Sequence, residues 1–447
     1  GRVRVLEYDA DTTSWVKVRD DILGDGQLDG FGTKVVLSND GKMLAVAAPM
    51  HGFEDLGVVR VYEEDQADGT WKSISQDLTG DESFAWYGSD IAFSKSSSTR
   101  IAVAGGKTNA DGVFTGIVRS YRYSDGEWKQ AGGDISDFGD ATVTSSVDHA
   151  AMQIHLGVSA DGRKLAIGTP LSANSDGAES VGAVRVYEYV SLTWTLMGLT
   201  VYGDNAGDLL GSAVAVSGDG SIIAIGAPGA DDGAGRVVVK EWNEGDKSWY
   251  AKGSIITGER PHDGLGCSVA LSSDGTRIAI GVVGSDGKYQ GDSWGEDSGK
   301  TRFFEFQSGV WKEMGAGPFG EAAGDRAGSA VSLSGDGTRV VVASTGNDGS
   351  GVYVDAGAAR VYQWTEAPGF SLPALSPTQP QPPPSPSPPP PPNPPPPSPP
   401  PSLPPPLLET WRQFGEDVDG EAAAELTGTA VSLSRDGFRL AVGGDNV

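Results

Sequence analysis

The residues that most often carry metal or acid–base chemistry are few in this chain. Its four histidines, His51, His149, His155 and His262, never recur at H-x-x-x-H spacing, and Cys267 is the single cysteine. A zinc site takes about four nitrogen, sulfur or oxygen ligands, so the sequence predicts none. His155 and Cys267 both fall in predicted strands, where we expect a packed core histidine rather than a base and an inert buried thiol.

Carboxylates are the other groups that could do chemistry. One long acidic loop offers weak candidate calcium ligands, namely Asp286, Asp292, Glu296 and Asp297. Calcium takes about six to eight oxygens, and the spacing of these four residues matches no calcium loop, so we predict no metal. Similar acidic loops occur at Glu54-Asp55, Asp176–Glu179, Asp231-Asp232 and Asp348–Asp355. Two interpretations stay open for them: solvated loops, or an acidic docking face.

Motifs for covalent or phosphate chemistry give no signal. No G-x-S-x-G elbow, Walker loop or Rossmann fingerprint occurs in a strand–helix context. The many Gly-x-Gly matches reflect turns. We therefore predict no catalytic residue, no cofactor and no enzymatic activity.

These residues are set into a pattern that returns seven times. An apolar strand a ends in Ser, an Asp-Gly turn follows, and strand b runs to a Gly/Ala/Pro-rich end. Strand c resembles GAVRVYEY (182–189), and strand d opens with Trp. Because one such unit cannot bury its own apolar face, neighbouring units must stack. The a–b copies span 31–49, 87–106, 152–170, 211–228, 266–283, 328–345 and 427–445.

Four markers recur with this pattern. The Asp-Gly turns, which predict two-residue hairpins with both residues at positive φ, lie at Asp40, Asp161, Asp219, Asp274, Asp336 and Asp436, and the second unit has Ser96-Ser97-Ser98 instead. The Trp markers are Trp15, Trp71, Trp128, Trp194, Trp249, Trp311 and Trp411. Strand c carries Arg4, Arg60, Arg119, Arg185, Arg302 and Arg360. We expect ion pairs between blades from these arginines to the acids Asp25, Asp81, Asp140, Asp204, Glu259, Glu321 and Glu421.

Seven four-stranded units predict an all-β, seven-bladed β-propeller. The C-terminal end supplies strands a and b of a seventh unit, and the N-terminal end begins with strand c, GRVRVLEY (1–8). Pairing the two ends completes that blade and leaves no free sheet edge. Because the chain starts and stops within a repeat, we also expect it to be a piece of a larger protein.

Phe31-Gly32 before strand a, Ala227-Pro228 after strand b and the G-x-V-x-V-Y of strand c resemble FG-GAP repeats. That resemblance implies the seven-bladed propeller of integrin α-subunits and of many secreted proteins. The calcium-binding units of the family carry D-x-D-x-D-G-x-x-D between strands a and b. Here the loop has shrunk to Ser-x-Asp-Gly, with too few oxygens for the ion, so we expect no calcium at the family's site.

Of the 28 prolines, 22 lie between Pro373 and Pro406, in a stretch typical of polyproline II. Its Ser-Pro runs resemble the hydroxyproline-rich glycoproteins of green-algal cell walls and flagellar surfaces. That resemblance implies hydroxylation and O-glycosylation, and the chain has no N-x-Ser/Thr sequon. A plain spacer and a ligand for a proline-reading domain are the alternatives. The modification candidates are Pro382, Pro383, Pro384, Ser385, Pro386, Ser387, Pro388, Pro389, Pro390, Pro391, Pro392, Pro394, Pro395, Pro396, Pro397, Ser398, Pro399, Pro400 and Pro401.

The Pro-rich tract divides the chain. We predict blade 7 outer strands plus blades 1–6 in residues 1–371, a polyproline II insertion in 372–408, and the last strand of blade 6 with the inner strands of blade 7 in 409–447. If strands c and d of blade 6 pair, the tract leaves and returns as an arm. If they do not, it is a strut between two propellers. We favour the arm, because it gives a whole number of blades.

The net charge of −27 argues against nucleic acid and anionic membranes as partners. The chain also has no apolar run of about 18 residues, so the sequence predicts no membrane-spanning segment. We predict an extracellular, non-enzymatic module of a cell-wall or flagellar mastigoneme filament. Its partners would be other glycoproteins, copies of itself and O-linked glycans. The alternatives are an integrin-like adhesion or glycan-binding propeller and, third, a polysaccharide-active enzyme.

Overall fold

The computed structural model describes residues 1–65, 67–94, 99–108, 113–136, 138, 153–174, 176–288, 294–348, 355–365, 410–421 and 425–444. Throughout these residues the regular structure is β-strand, as the sequence predicted. Among them we find no helix with the length and apolar character that a bilayer crossing requires.

The strands are numbered in chain order and grouped by blade. The N-terminal end gives β1 (Arg2–Asp9), β2 (Ser14–Lys17) and β3 (Ile22–Leu23). Blade 1 has β4 (Lys34–Leu37), β5 (Met43–Ala48), β6 (Val58–Glu64), β7 (Trp71–Ser73) and β8 (Leu78–Thr79). Blade 2 has β9 (Ile91–Phe93), β10 (Arg100–Thr108), β11 (Phe114–Ser124) and β12 (Glu127–Gln130). Blade 3 has β13 (His155–Val158), β14 (Lys164–Thr169), β15 (Ala183–Val190), β16 (Thr193–Leu196) and β17 (Val201–Tyr202).

The second half of the chain repeats the order. Blade 4 has β18 (Ala213–Val216), β19 (Ile222–Ala227), β20 (Arg236–Asn243), β21 (Ser248–Ala251) and β22 (Ile256–Thr257). Blade 5 has β23 (Val269–Leu271), β24 (Arg277–Val282), a small hairpin of β25 (Gly287–Lys288) and β26 (Trp294–Gly295), then β27 (Lys300–Gln307) and β28 (Val310–Glu313). Blade 6 has β29 (Ala327–Leu333), β30 (Arg339–Ser344), β31 (Ala358–Thr365), β32 (Thr410–Gln413) and β33 (Val418–Asp419). The chain closes with β34 (Ala430–Leu433) and β35 (Arg439–Gly444).

Each blade is an antiparallel sheet in the order a, b, c, d, and in five blades a short extra strand also pairs with strand c. The blade at the joint is built from both chain ends. Its strand β1 pairs with β35 from Arg2↔Gly444 to Glu7↔Arg439, and β35 pairs with β34. The prediction of a seven-bladed propeller closed by its ends is therefore confirmed. Closure leaves no unpaired edge on β35.

Blade 6 keeps its outer strand on the far side of the Pro-rich tract. Strands β31 and β32 pair in one sheet, with Trp364↔Trp411 and Thr365↔Thr410 as register partners. The chain therefore leaves this blade after Thr365 and re-enters it at Thr410, directly opposite. The arrangement is that of an insertion between strands c and d, not of a strut to a second propeller.

The Asp-Gly turns differ from the prediction that both central residues have positive φ. Only the glycine does: Gly41 has φ 67°, and Asp40 is not among the positive-φ residues. Ser38 donates its hydroxyl to Asp40 Oδ1 at 2.6 Å, and that oxygen also accepts the Lys42 amide at 3.1 Å. These bonds hold the aspartate in ordinary geometry, so one left-handed glycine suffices to reverse the chain.

Apolar side chains from neighbouring sheets meet to form the core. Val237 and Val239 of blade 4, for example, pack with Ile278, Ile280 and Phe304 of blade 5. The strand-d tryptophans add a bond across several of these interfaces, because their indole N–H donates to a carbonyl of the preceding blade. The pairs are Trp15 to Phe414, Trp194 to Ala131, Trp249 to Met197, Trp311 to Lys252 and Trp411 to Met314.

Candidate functional site

The inner strands of the seven blades surround a central channel. Its cavity of about 560 Å³ has mainly apolar walls, with Val35, Ile91, Leu156, Val269 and Val331 among the lining residues. The walls are apolar because strand a follows the repeat, and the repeat supplies Val, Ala, Leu or Ile at these positions.

A belt of backbone hydrogen bonds narrows one end of the channel, where the a–b turns converge. In five of the blades, the amide following the turn's serine donates to the equivalent carbonyl of a neighbouring blade. The bonds run from Arg435 to Asn39 (3.0 Å), Gly335 to Arg435 (2.7 Å), Ser273 to Gly335 (2.8 Å), Gly218 to Ser273 (2.8 Å) and Ala160 to Gly218 (2.8 Å). Because these donors and acceptors are main-chain atoms, the belt positions the blades independently of side-chain identity.

The opposite end of the channel, where the inner strands begin, departs from the repeat. Residues aligned by their pairing with strand b occupy one equivalent position in every blade. Four blades have a small residue there, namely Ala213, Ser268, Ala330 and Ala430. Blades 1, 2 and 3, which are consecutive, have Lys34, Asp90 and His155. A scaffold position would follow the repeat, so this cluster is the strongest candidate functional site.

Asp90 is the centre of the cluster. One carboxylate oxygen accepts the amide of Ile91 at 3.0 Å, and the other accepts the amide of Leu156 in the next blade at 2.8 Å. Lys34 Nζ lies 3.4 Å from Asp90 Oδ1, and His155 Nδ1 lies 4.0 Å from Asp90 Oδ2. The two amides fix the carboxylate between an ammonium group and an imidazole.

His155 is not the packed core residue that we expected, since 27% of its side chain is exposed. Desolvation within the channel nevertheless lowers its pKa to about 4, opposed by the charge of Asp90 and assisted by that of Lys34. At neutral pH the imidazole is uncharged and can accept a proton. With a carboxylate on one side and an ammonium beside that carboxylate, the cluster can bind a polar ligand or assist proton transfer.

The sequence contained a signal for this cluster that we missed. We judged each histidine alone, by spacing motifs and predicted strand. Comparing one column of the repeat across blades would have singled out Lys34, Asp90 and His155 against alanine and serine.

The strand-c arginines form the inter-blade ion pairs that we expected. The contacts observed are Arg4–Glu421, Arg60–Asp25, Arg119–Asp81, Arg302–Glu259 and Arg360–Glu321. Each arginine also reaches an acid at its own blade's outer end, respectively Asp21, Asp77, Asp134, Glu313 and Asp417. Arg236, which we missed because it lies at the start of β20, pairs with Asp204. Asp140, the acid that we expected to pair with an arginine of the next blade, lies outside the described residues.

The candidate calcium ligands are only partly covered by the structure. Asp292 lies outside the described residues. Asp286 lies 3.8 Å from Arg260, and its Oδ1 accepts the amide of Asp297 at 3.4 Å, while the carbonyl of Glu296 accepts the amide of Gly324. In the part of the chain that the structure covers, no group of three or more His, Cys, Asp or Glu side chains could hold a metal ion.

Cys267 lies just before the inner strand of blade 5. Its Sγ is 3.7 Å from the carbonyl oxygen of Gly328, and burial raises the pKa of the thiol to about 11. The thiol is therefore protonated and weakly nucleophilic at neutral pH. The modification candidates from Pro382 to Pro401, with Ser385, Ser387 and Ser398, all lie outside the described residues.

Solved structures resemble this fold over most of its length. A candidate 6-phosphogluconolactonase from Bacteroides uniformis matches with TM-score 0.51 and 13% identity, covering 82% of this chain and 93% of that one. A periplasmic gluconolactonase from Pseudomonas aeruginosa matches with TM-score 0.49 and 16% identity, covering 81% and 92%. A candidate 6-phosphogluconolactonase from Bacteroides fragilis matches with TM-score 0.48 and 10% identity, covering 81% and 90%.

Neither a protein-family model nor a curated protein sequence matches this chain. The structural likeness shows the fold, at identities too low to carry an activity across. It also corrects one of our predictions. We predicted from the sequence that the chain is not an enzyme; this prediction is corrected, because a solved structure with the same architecture is named as a candidate 6-phosphogluconolactonase, and the fold therefore gives no ground for excluding an enzyme. The absence of familiar motifs was not evidence against an enzyme, because this chain brings Lys34, Asp90 and His155 together without such a motif.

Proposed function

We propose that this chain is the propeller module of an extracellular glycoprotein assembly, such as an algal cell wall or a flagellar mastigoneme filament. In this proposal the propeller, a divergent relative of FG-GAP repeats, binds neighbouring glycoproteins or further copies of itself. The Pro-rich tract is a glycosylated spacer or tie.

The observation that carries this proposal is the site of the insertion. Thr365 and Thr410 are register partners in the outer half of blade 6, so a tract of extreme composition enters and leaves a propeller whose strand order is undisturbed. A tract between two domains would act as a linker. One inserted into the outer edge of a closed ring is placed to contact a neighbouring molecule.

The composition of the tract supports an extracellular location. Proline fixes φ and lacks an N–H, so a run of prolines cannot join a sheet and stays solvated. Ser-Pro runs with almost no charge suit hydroxylation and O-linked sugars. The acidic surface, with a net charge of −27, disfavours nucleic acid and anionic lipid as partners.

Immunogold labelling of intact cells of the source organism tests this proposal. Antibodies against the recombinant propeller should label the wall or the flagellar surface without permeabilisation. Antibodies against a cytosolic protein serve as the control and should label only permeabilised cells. Labelling that requires permeabilisation for both antibodies contradicts the proposal.

The cluster of Lys34, Asp90 and His155 favours a second function, which is the hydrolysis of a lactone or another ester. Neutral His155 would take a proton from water as that water attacks the carbonyl carbon, and Lys34 would stabilise the negative charge that develops on the carbonyl oxygen. The tetrahedral intermediate would then collapse with cleavage of the bond between the carbonyl carbon and the ester oxygen, and the imidazolium of His155 would return its proton to that leaving oxygen. Asp90, held by two amides, would stabilise the imidazolium. The neighbours named as lactonases motivate the choice of substrate class.

This second function has a direct assay. The purified propeller should hydrolyse gluconolactone or 6-phosphogluconolactone faster than buffer does, and His155→Gln and Lys34→Met should each lower the rate by at least about tenfold. Ala213→Ser, at the equivalent position of blade 4, is the matched control and should retain the rate. Equal rates for all four proteins would rule out hydrolysis by this cluster.

A further inference from the structure

In most blades, the cross-strand pair next to the a–b turn has an acidic residue on strand c. The first residue of strand b faces a residue of strand c, and side chains directly opposite in an antiparallel pair share one face of the sheet. The strand-c residue is an acid in five blades, in the pairs Arg439↔Glu7, Met43↔Glu63, Lys164↔Glu188, Ile222↔Glu241 and Arg277↔Glu305. Blade 6 has the neutral pair Arg339↔Gln363.

Blade 2 inverts this charge. There Arg100 faces Arg122, so two like charges stand opposite each other where other blades place a carboxylate. Like charges in this position destabilise the sheet. In a chain with net charge −27, acids are abundant, and a pair of arginines at this position is conspicuous.

Arg100 is the buried member of the pair. It is 6% exposed, and its Nη1 has no hydrogen-bond partner among the described residues. The Tyr189 ring of blade 3 covers one face of the guanidinium, with the ring centroid 4.7 Å from Cζ. Stacking occupies the face of the guanidinium, and the buried Nη1 is left with an unmet capacity to donate a hydrogen bond.

A third arginine comes from the next blade. The Gly162 turn packs onto Arg100, and a Cβ placed on Gly162 would lie 2.7 Å from Arg100 Cδ. Arg163 follows that glycine and is exposed, as is Arg122. Burial is the main cause that lowers the pKa of Arg100, and the charges of Arg122 and Arg163 lower it further, while Tyr189 and Asp161 act in the opposite direction.

Nearby charged groups are already engaged. Asp161 accepts the hydroxyl of Ser159 at 2.7 Å and the amide of Arg163 at 3.0 Å within its own turn. Lys129, which faces Arg122 in the register of β11 and β12, pairs with Asp125 at 2.8 Å. The positive charge of the three arginines is thus left without a dedicated carboxylate among the described side chains.

We infer that Arg100, Arg122 and Arg163 form a binding site for a sulfate or phosphate group at the junction of blades 2 and 3. Guanidinium groups match the geometry of tetrahedral oxyanions and bind them through paired N–H donors. A bound oxyanion would supply the charge that a glutamate supplies in the other blades. This inference stands independently of the proposed extracellular role, since it rests only on these residues.

The test uses sodium sulfate and sodium phosphate as probes, with Arg122→Glu as the main variant. This substitution restores the acid found in five other blades, so the variant should fold and, in chloride buffer, melt at a higher temperature than the parent. Isothermal titration should show sulfate or phosphate binding to the parent and at least tenfold weaker binding to Arg122→Glu. Arg412→Glu, an exposed position on strand d of blade 6 with the same charge change, is the matched control and should bind like the parent.

Dextran sulfate and uncharged dextran identify the source of the group. Tighter binding of dextran sulfate than of free sulfate, with no binding of dextran, assigns the site to a sulfated polymer. Equal affinity per sulfate assigns it to the free ion. The inference is overturned if the parent binds neither ion, if Arg122→Glu binds as well as the parent, or if that variant melts lower than the parent in chloride buffer.

Discussion

Trp364 and Trp411 face each other in adjacent strands of blade 6, with ring centroids 5.4 Å apart, although the whole Pro-rich tract separates them in the chain. The indole of Trp411 also donates to the carbonyl of Met314 in the preceding blade at 3.2 Å. The ends of the insertion are therefore fixed to each other and to the ring. The propeller can carry the tract without depending on it for its fold.

Deleting residues 1–21 should make the protein aggregate. The deletion removes β1 and β2, which exposes the edge of β35 and leaves blade 7 with two strands. Size-exclusion chromatography with light scattering and thermal unfolding will show the change. Replacing residues 372–408 by a short Gly-Ser loop is the matched control, because Thr365 and Thr410 are already paired. A deletion variant of residues 1–21 that stays monomeric with the parental Tm would refute closure by the chain ends.

Substituting Arg360 by Met should destabilise the fold by about 1 kcal/mol, because the guanidinium is buried but its two acidic partners, Glu321 and Asp417, are 63% and 28% exposed and are therefore partly compensated by water. Arg360 is 6% exposed on its side chain and contacts Glu321 and Asp417 at 2.7 Å each. Urea unfolding measures the effect. The exposed Arg412→Met should change stability by less than about 0.5 kcal/mol. Equal stability of the two variants would mean that the strand-c arginines contribute little to the free energy of unfolding.

Stability should depend on the protonation of His155. Its folded-state pKa of about 4 lies below the value of about 6.5 expected in the unfolded chain. The unfolded state therefore binds more protons between these values, so the contribution of neutral His155 is present above pH 6.5 and is lost as the pH falls towards 4. His155→Gln should flatten the pH dependence of the unfolding free energy in that window, and the exposed His262→Gln should not. An NMR titration that gives His155 a pKa near 6.5 would disprove the burial argument.

Removing calcium should not change the melting temperature of the protein, because we expect the Asp-Gly turns to bind no calcium. Each turn aspartate already binds its own serine and backbone, as Asp40 does with Ser38 and the Lys42 amide, and one carboxylate cannot supply the oxygens that calcium requires. The melting temperature with excess EGTA should equal that with added calcium. A drop of ten degrees or more in chelator would contradict this prediction.

The fold could be predicted because every repeat contains residues that mark its turns and strands. Asp40 and its equivalents mark the turns, Trp15 and its equivalents mark strand d, and the two half-blades at the chain ends require each other. The candidate sites could not be predicted in this way, because both are departures from the repeat. His155 has meaning only beside Asp90 of another blade, and Arg122 only against the glutamates of the other blades. Such contrasts emerge when equivalent positions of the repeat are compared between blades, a comparison that we did not make from the sequence.

Mass spectrometry of the protein isolated from its source tests the proposed function most directly. We predict increments of 16 Da on prolines between Pro382 and Pro406, together with pentose or hexose increments on the same peptides. Peptides from the propeller strands of the same preparation serve as the control and should have unmodified masses. Repeated increments confined to the tract would support a glycosylated arm on an extracellular propeller. A tract at its unmodified peptide mass would contradict the account and leave the insertion as a plain spacer.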